Sequence, residues 1–249
     1  MTKERVDKLL VERGLADTRE RAQRLVMAGL VFSGDVVVDK PGTRLAIDTP
    51  LDVRGEPPPF VSRGGAKLDA TLAALAFDVR DLVAIDVGAS TGGFTDCLLQ
   101  RGARRVYAVD VGYGQLAWKL RNDPRVVSRE RTNVRLLGRA DFPEPIDLVT
   151  IDASFISLRL ILPVVTSLLD PGGRIVALVK PQFEVGKGRV GKGGVVREAA
   201  LHTEVLTELQ RGVVELGLVI DGVLTSPLLG PAGNREFFLA LRRKASHTG

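Results

Sequence analysis

The segment from Asp86 to Gly93 constrains the fold of this chain more than any other stretch. It reads Asp-Val-Gly-Ala-Ser-Thr-Gly-Gly, and it lies between the apolar runs 82–85 and 94–99. This order predicts a β-strand, a glycine-rich turn and an α-helix. Backbone N–H groups at the start of such a helix can face a ligand, and glycines let the ligand approach the main chain. We therefore expect a nucleotide-type pocket formed by Gly88, Ala89, Ser90, Thr91, Gly92 and Gly93.

The spacing of this turn favours a particular cofactor. It departs from the G-x-G-x-x-G fingerprint, and Asp86 disfavours a pyrophosphate but suits a cationic, zwitterionic ligand. S-adenosylmethionine carries an ammonium group, a sulfonium and a ribose, and no phosphate. Asp110 ends the next apolar stretch, 22 positions after Gly88, where a carboxylate can accept both ribose hydroxyls. We expect S-adenosylmethionine, contacted by Asp86 and Asp110 and flanked at its adenine by Thr132 and Asn133. The motif alone also fits an ordinary glycine turn of an α/β protein.

The composition limits the class of protein. Apolar residues make up 45% of the 249 positions, which is typical of a soluble globular chain, and the first residues lack the apolar region of a signal peptide. One cysteine and two histidines are too few for an internal disulfide or a zinc cluster. We expect a cytoplasmic protein that needs no metal and spans no membrane. The net charge of +5 favours a polyanionic partner.

Residues 1–54 have the pattern of a small α+β module. Val6, Leu9 and Leu10 recur at helical spacing, and Asp17, followed three residues later by Glu20, predicts the start of a second helix. The stretch 30–38 predicts a tight hairpin, and a further short strand is expected near 45–51. Basic side chains of the two helices can share one surface that meets RNA phosphates, namely Lys8, Arg19, Arg21 and Arg24. An N-terminal extension with solvated charges is the alternative.

Three stretches of this module carry a family resemblance. They are residues 5–10 (RVDKLL), 18–26 (TRERAQRLV) and 29–31 (GLV). They resemble the RNA-binding module named after ribosomal small-subunit protein four. The resemblance implies that the second helix and the hairpin after it contact structured RNA, which fits recognition by shape and phosphate contacts.

The remainder of the chain alternates between strand and helix patterns. Residues 55–59, Gly-Glu-Pro-Pro-Pro, predict a stiff linker between a module at 1–54 and a larger domain at 60–249. Alternating strands and helices predict an α/β fold with a doubly wound, mostly parallel sheet, whose last strand runs antiparallel. This is the architecture of the class I methyltransferases. Its seven strands are expected at 82–87, 105–110, 126–128, 146–152, 174–180, 218–224 and 236–241.

Charged residues stand where these strands meet the ligand edge of the sheet. Asp86, Asp110, Asp152 and Lys180 each follow an apolar run, and Glu236 opens the last strand. Ligands of parallel sheets bind beyond the carboxyl ends of the strands. We therefore expect an active site at this edge in preference to a set of merely solvated strand ends.

A hydroxyl group is the acceptor that best fits these residues. Methylation of an exocyclic base nitrogen usually uses an N/D-P-P-Y turn, whereas residues 152–155 are Asp-Ala-Ser-Phe. Carbon methylation of cytosine needs a nucleophilic cysteine, but Cys97 is expected inside the helix after the glycine turn, as a small buried residue.

Four of the charged residues resemble the catalytic set of the FtsJ-type ribose 2′-O-methyltransferases: Lys67, Asp152, Lys180 and Glu236. A lysine acts as a base only after losing its own proton, which burial and a second ammonium favour. We assign that role to Lys180, with Lys67 supplying the like charge and orienting the hydroxyl. Asp152 then holds Lys180 and keeps the incoming methyl group in line, and Glu236 positions Lys67.

Over its whole length the chain resembles the TlyA-type rRNA methyltransferases, a family also named hemolysins. The matching stretches are residues 60–68, 86–96, 152–157 and 179–184. The resemblance implies 2′-O-methylation of cytidine in the rRNA of assembled ribosomal subunits. Two other classes stay open, namely an RNA-binding assembly factor with an inactive methyltransferase fold and a membrane-active hemolysin. The second would need a long apolar or strongly amphipathic segment, and we find none in the sequence.

A glycine-rich basic stretch follows the Lys180 strand. Residues 186–192 satisfy the pattern G-x-x-x-x-G-K, but Gly193 occupies the Ser/Thr position that a P-loop requires. We expect a mobile loop that meets RNA phosphates over the active site through Lys187, Arg189, Lys192 and Arg197.

Overall fold

The computed structural model describes residues 2–55, 59–186 and 188–244. Lys187, and Pro57 and Pro58 of the expected linker, lie outside the described residues. The chain divides into two compact units, Met1–Val61 and Ser62–Gly249.

The first unit combines two helices with two small antiparallel sheets. The helices are α1 (Val6–Glu12) and α2 (Arg19–Met27), and the strands are β1 (Lys3–Arg5), β2 (Val31–Ser33), β3 (Val36–Val37), β4 (Arg44–Ala46) and β5 (Asp52–Val53). Strand β1 pairs with β4, and β2 pairs with both β3 and β5. The apolar sides of α1 and α2 form the core of the unit, with Val6, Leu10, Leu25 and Val26 at its centre.

Two local predictions for this unit are corrected. Asp17 does not cap α2, because the hydroxyl of Thr18 accepts the Arg21 backbone N–H at 3.2 Å and makes Thr18 the N-cap. The single strand expected near 45–51 is two strands, β4 and β5, which belong to different sheets. The chain turns between them, where Thr49 N donates to the carbonyl of Ala46 at 3.0 Å, and Pro50 has no N–H for a continued ladder.

The second unit alternates strands and helices as predicted. Its strands are β6 (Val83–Val87), β7 (Arg105–Val109), β8 (Val126–Arg129), β9 (Leu148–Ile151), β10 (Arg174–Val179), β11 (Leu218–Thr225) and β12 (Phe237–Arg243). Its α-helices are α3 (Arg63–Ala74), α4 (Gly93–Gln100), α5 (Trp118–Arg121), α6 (Leu158–Leu168), α7 (Pro181–Glu184) and α8 (Ala199–Glu215). The five inner strands are largely buried and apolar, as expected for a sheet covered on both faces, whereas the edge strands β8 and β11 are partly exposed.

The strand order positions the functional edge of the sheet. The seven strands lie in the order β11-β12-β10-β9-β6-β7-β8, and β12 alone runs antiparallel to β10 and β11. The chain runs from β6 outward to β7 and β8 and then returns to β9 on the other side of β6. The crevice of a doubly wound sheet opens at such a reversal, beyond the carboxyl ends of the strands. The ends of β6 and β9 therefore form the expected binding crevice, and the predicted seven-stranded, mostly parallel sheet is confirmed.

Helix α4 packs closely on α3 because its first residue has no side chain. A Cβ atom added to Gly93 would lie 2.1 Å from Ser62 Oγ and 2.9 Å from the backbone nitrogen of Gly65. The Ser62 hydroxyl could rotate away, but the Gly65 main chain could not. This glycine is therefore required by helix packing.

We predict opposite stability effects for two Gly→Ala substitutions in this unit. Gly93→Ala should lower the free energy of unfolding by about 1–3 kcal/mol, because the added methyl group overpacks a backbone contact. Gly212→Ala, in the interior of α8 with nothing within 4 Å of the added Cβ, should raise it by about 0.5–1 kcal/mol through helix propensity. Urea titrations followed by the fluorescence of Trp118, the one tryptophan in the sequence, measure both. Equal effects would contradict this account of the α3–α4 contact.

Candidate active site

The glycine turn after β6 is wedged between the ends of the two neighbouring strands. Gly88 has φ +82°, and a Cβ atom there would lie 2.8 Å from the backbone carbonyl oxygen of Asp152. The N–H groups of Gly88 and Ala89 both donate to the Val109 carbonyl, at 2.9 and 3.2 Å. Only glycine combines this left-handed conformation with so close a backbone approach. The turn therefore holds the ends of β6, β7 and β9 in one arrangement.

A large cleft of about 470 Å³ opens beside this turn. Its volume lies within the range of small-molecule sites, and its lining is mostly apolar, with few polar groups. The polar residues that line it include five of the predicted cofactor contacts: Gly88, Ser90, Asp110, Thr132 and Asn133. The Asp110 carboxylate accepts the N–H groups of Ser90 and Gly112 at 2.8 and 2.6 Å, which fixes its position at the end of β7.

Two predicted cofactor residues, Gly92 and Asp86, lie behind the turn. They line neither this cleft nor a smaller one beside it. Gly92 has φ +94°, and a Cβ atom there would lie 2.3 Å from Leu120 Cδ1 and 2.8 Å from Leu116 Cδ1. Conformation and packing therefore explain this glycine, and we revise its predicted role accordingly. Asp86 is fully buried.

Hydrogen bonds to threonines hold Asp86 in place. Its Oδ2 accepts the backbone N–H and the hydroxyl of Thr95 at 2.9 and 2.7 Å, and its Oδ1 accepts the Thr150 hydroxyl at 3.2 Å. Burial is the main cause that raises the pKa of Asp86 to about 7, with a further contribution from the charge of Asp152; the threonine hydrogen bonds oppose the rise. Asp86 therefore joins the first turn of α4 to β9 behind the ligand surface.

A small cleft of about 260 Å³ contains all four predicted catalytic residues. Lys67 Nζ contacts Glu236 Oε2 at 2.6 Å, and both side chains are more than nine-tenths buried. Lys180 Nζ contacts Asp152 Oδ1 at 2.6 Å and donates to the Ser154 hydroxyl at 3.0 Å. The structure thus brings together, as two ion pairs, residues that are up to 169 positions apart in the sequence.

The two clefts meet at the switch point of the sheet. Gly88, Ser90, Asp152 and Ser154 line both. A molecule in the large cleft and a molecule in the small cleft would therefore face each other across the ends of β6 and β9. Ala89, Thr91 and Gly93, also predicted as cofactor contacts, line the small cleft.

One oxygen of the Glu236 carboxylate has no hydrogen-bond partner among the described residues. Glu236 Oε1 is buried, and a Cβ atom on Gly230 would lie 2.4 Å from it. A buried acceptor left unpaired is unfavourable, and such atoms are concentrated at functional sites. The Glu236 carboxylate therefore pairs with Lys67 through Oε2 and keeps Oε1 as a buried acceptor beside Gly230.

Sequence reasoning assigned no role to three residues at these clefts. Arg63, the first residue of α3, lines the small cleft, and its side chain has no ion-pair partner in the described part of the chain. Ser154 lies between the clefts. Phe155 is 91% exposed, has φ +64° and contacts Phe183 in a tilted arrangement, with 5.1 Å between ring centroids. A bulky residue in a left-handed conformation, exposed at a cleft, is the structural signal that marks this position.

The predicted RNA-contacting residues fall into two groups. In the first unit, Lys8 pairs with Glu4, Arg19 with Asp7 and Arg21 with Asp17, while Arg24 lies in the last turn of α2. In the second, Arg189 pairs with Glu204, Arg197 donates to the Lys192 carbonyl, and Lys187 lies outside the described residues.

Gly194 and Val196, at the end of the basic loop that follows the Lys180 strand, are hydrogen-bonded to the segment that carries Glu236. The Asn234 side chain accepts the Val196 N–H at 2.9 Å and donates to the Gly194 carbonyl at 2.8 Å. No helix in the described ranges is long and apolar enough to cross a membrane.

This sheet order, with a glycine turn at its switch point and two adjoining clefts, defines a class I methyltransferase. The model of the FtsJ-like methyltransferase family matches residues 60–243, and the model of the S4 domain matches residues 4–48. The chain belongs to the FtsJ-like methyltransferase family and carries an S4 domain at its N-terminal end.

Relatives match both domains together. YqxC of Bacillus subtilis, named as a candidate rRNA methyltransferase, is 54% identical over 96% of this chain and 85% of its own length. The 16S/23S rRNA (cytidine-2′-O)-methyltransferase TlyA of Mycobacterium tuberculosis is 50% identical over 96% of this chain and 89% of its own length. The structure of a candidate hemolysin from Streptococcus thermophilus is 48% identical, covers 98% of this chain and 90% of its own, and has a TM-score of 0.76.

The buried position of Asp86 predicts a pH-dependent stability. Because its pKa is about 7 in the folded state against an ordinary value of 3.8, the folded state binds the proton more tightly. The stabilising contribution is complete at low pH and is lost as the pH rises from about 4 to 7. Between pH 5 and pH 8 the parent should therefore lose about 2 kcal/mol more unfolding free energy than Asp86→Asn. Urea titrations across this range check it, and parallel curves for the two proteins would show that Asp86 does not titrate there.

Proposed function

We propose that this protein transfers the methyl group of S-adenosylmethionine to the ribose 2′-hydroxyl of a cytidine in ribosomal RNA of assembled subunits. The observation that carries the proposal is the pair of lysine–carboxylate contacts, one buried (Lys67–Glu236) and one half-buried (Lys180–Asp152), in a cleft that adjoins a second, cofactor-sized cleft. The RNA substrate implies the cytoplasm as the place of action.

The large cleft fits the proposed cofactor. Asp110 offers a carboxylate at the end of β7 for ribose hydroxyls, and Thr132 and Asn133 line the same cleft beyond it. Gly88 also lines this cleft, and its missing side chain lets the turn approach the Asp152 carbonyl, 2.8 Å from where a Cβ would lie. S-adenosylmethionine would supply an electrophilic methyl group at this position. Asp86 acts from behind the turn, by fixing the start of α4.

The small cleft fits a hydroxyl acceptor and gives no support to cysteine chemistry. Cys97 is fully buried in α4, and burial raises the pKa of its thiol to about 12, so a nucleophilic thiolate does not form there at neutral pH. Lys180 and Lys67 instead place two nitrogen atoms around a cleft whose other polar groups include two carboxylates, the Arg63 guanidinium and the Ser154 hydroxyl.

Each of the four residues has a separate role in the proposed transfer. Lys180, as the neutral amine, accepts the proton of the 2′-hydroxyl, and Lys67 and Arg63 line the same cleft. Asp152 holds the Lys180 side chain at the junction of the two clefts. Glu236 holds Lys67 through Oε2, so that the Lys67 ammonium can orient the hydroxyl. Proximity and orientation provide the remaining catalysis.

The exposed residues at the mouth suit a nucleotide that has been turned out of its helix. Enzymes that modify one nucleotide within folded RNA stack its base on an aromatic side chain and hold its phosphates with cations. Phe155 presents such a ring beside the large cleft, and Arg63, which has no ion-pair partner among the described residues, presents a guanidinium in the small one. The basic loop, fastened beside Glu236, adds Arg189, Lys192 and Arg197 as phosphate contacts, and we propose Lys187 as a fourth.

The relatives support the choice of substrate. TlyA of Mycobacterium tuberculosis is named for cytidine 2′-O-methylation of 16S and 23S rRNA, and its match covers both units of this chain. We propose the same nucleoside and the same substrate class here. Incubation with labelled S-adenosylmethionine and separate unmodified small and large subunits, followed by mapping of nuclease-resistant ribose positions, tests the proposal. Methylation of a base would overturn it.

The proposed role of Lys180 as the base predicts the effects of two substitutions on turnover. Lys180→Ala and Lys180→Arg should both lower kcat by about 10²- to 10⁴-fold, because alanine lacks the amine and a guanidinium does not release its proton. The affinity for S-adenosylmethionine, measured by calorimetry, should change little. Lys119→Arg, a matched change at an ion pair with Asp96 away from both clefts, should keep parental turnover. An active Lys180→Arg protein would remove Lys180 from the role of base.

The proposed division of labour predicts that residues 60–249 alone fold and bind S-adenosylmethionine but methylate subunits poorly. Tethering to a second RNA contact raises the effective concentration of the substrate nucleotide at the cleft. Replacing Arg19, Arg21 and Arg24 by alanine in the full chain should reproduce the loss and reduce the salt dependence of RNA binding by about one in slope for each lost phosphate contact.

A matched control removes the same charge elsewhere. Three exposed arginines lie at the opposite, amino edge of the parallel strands, and their triple alanine variant should bind subunits nearly as the parent does: Arg80, Arg104 and Arg242. If the N-terminal triple variant methylates subunits like the parent across the salt series, the first unit is not the RNA anchor.

A further inference from the structure

A buried carboxylate in the first unit holds two arginines at once. Asp7, in the first turn of α1, has no exposed surface. Its Oδ1 accepts Arg5 Nε at 2.9 Å, and its Oδ2 accepts Arg5 Nη2 at 2.9 Å and Arg19 Nε at 3.0 Å. The Gln23 side-chain amide also donates to Oδ2, at 2.9 Å. Four hydrogen bonds from three side chains therefore converge on one carboxyl group.

The Asp7 carboxylate is charged in the folded protein. Burial alone would raise its pKa, but the hydrogen bonds from Arg5, Gln23 and Arg19 outweigh burial and hold the pKa well below its usual range. A buried ion pair of this kind adds little stability compared with an apolar replacement of the same volume, although removal of one partner is strongly destabilising. Stability alone therefore gives a weak reason for placing this charge in the interior.

The two arginines keep donors that point to no partner in the described part of the chain. A guanidinium has five N–H donors in one plane, and Arg5 uses only the edge formed by Nε and Nη2. Arg19 uses only Nε. Both side chains are partly open to solvent, at 36% and 47% exposure. Two bonded atoms fix the plane of the Arg5 guanidinium and one bond holds Arg19 at Nε, so both groups are positioned before any ligand arrives.

We propose that Arg5 and Arg19, held together by Asp7, form a preorganised binding site for one phosphate group of the RNA backbone, with Asp7 as its positioning residue. The cluster carries two positive charges and one buried negative charge, and two guanidinium edges suit bidentate contacts to phosphate oxygens. Holding two flexible side chains in advance removes part of the ordering cost of binding. The proposal rests on the proposed function, in that it specifies how the first unit holds the RNA substrate.

A neighbouring pair on α2 offers a matched control. Arg21 Nη1 contacts Asp17 Oδ2 at 3.0 Å, but the Asp17 side chain is 79% exposed and bonds a single arginine. Asp17→Asn and Asp7→Asn change the same chemical group in the same unit by the same charge. They differ in whether the carboxylate is buried and whether it holds two arginines.

The test uses the sign of the effect on RNA affinity. Loss of one negative charge should strengthen binding to a polyanion if only the net charge matters. We therefore expect Asp17→Asn to leave the affinity for unmodified ribosomal subunits unchanged or slightly higher. Asp7→Asn should instead weaken it by about threefold or more, because both arginines must then be ordered on binding. Binding is measured in the full chain across a salt series without methyl donor, and thermal unfolding establishes that each variant is folded.

A second background separates positioning from general damage to the unit. With Arg5 and Arg19 both replaced by alanine, Asp7 has nothing left to position, so the further change Asp7→Asn should no longer reduce affinity. An equal loss in both backgrounds, or an Asp7→Asn protein that binds as tightly as Asp17→Asn, would overturn the proposal. Failure of the parent to methylate ribose would instead overturn the proposed function, because the binding comparison does not depend on methyl transfer.

Discussion

The contact between the Gly88 main chain and the carbonyl of Asp152 is the constraint on which the catalytic edge depends. A Cβ atom at position 88 would lie 2.8 Å from that oxygen, so the ends of β6 and β9 approach as closely as a bare backbone permits. Gly88 and Asp152 line both clefts, and this approach therefore sets the distance between a molecule in one cleft and a molecule in the other. Transfer chemistry requires reacting atoms within about 3–3.5 Å, which only such a fixed junction can provide.

Strand direction explains how distant residues reach the same edge. The parallel strands β9 and β10 deliver Asp152 and Lys180 at their carboxyl ends. Strand β12 runs the other way, so its first residues lie at that edge, and Glu236 just before it reaches Lys67 on α3. A parallel strand in the place of β12 would have brought its last residue to this edge instead, and its crossover would have needed another helix. The single antiparallel strand places a carboxylate there after a short connection from β11.

The sequence predicted the fold, and which charged residues gather at one edge of the sheet, better than it predicted which residues of the glycine turn face the clefts. Apolar runs with charged ends predicted the strands and their edge, because period and burial are local properties. Asp86 and Gly92 show the limit: both belong to the turn motif, yet one is buried against Thr95 and Thr150, and the other packs against Leu116 and Leu120. Which side of a turn meets ligand depends on the helices that pack behind it, and those contacts are not local. The N-cap of α2 shows the same limit. The hydroxyl of Thr18, and not the carboxylate of Asp17, accepts the Arg21 backbone N–H.

The arginine–carboxylate pairs at the surface differ in whether the carboxylate is exposed or buried. Four of the eight cations expected to meet RNA are already paired with a carboxylate. Exposed pairs such as Arg21–Asp17 and Arg189–Glu204 contribute little energy, since water screens both partners. An arriving phosphate can replace the carboxylate in such a pair with little net loss. Asp7 cannot be displaced in this way, because it is buried beneath the arginines and keeps its hydrogen bonds while their outer edges stay open. Burial of the carboxylate thus decides whether an ion pair competes with RNA for an arginine or presents that arginine to it.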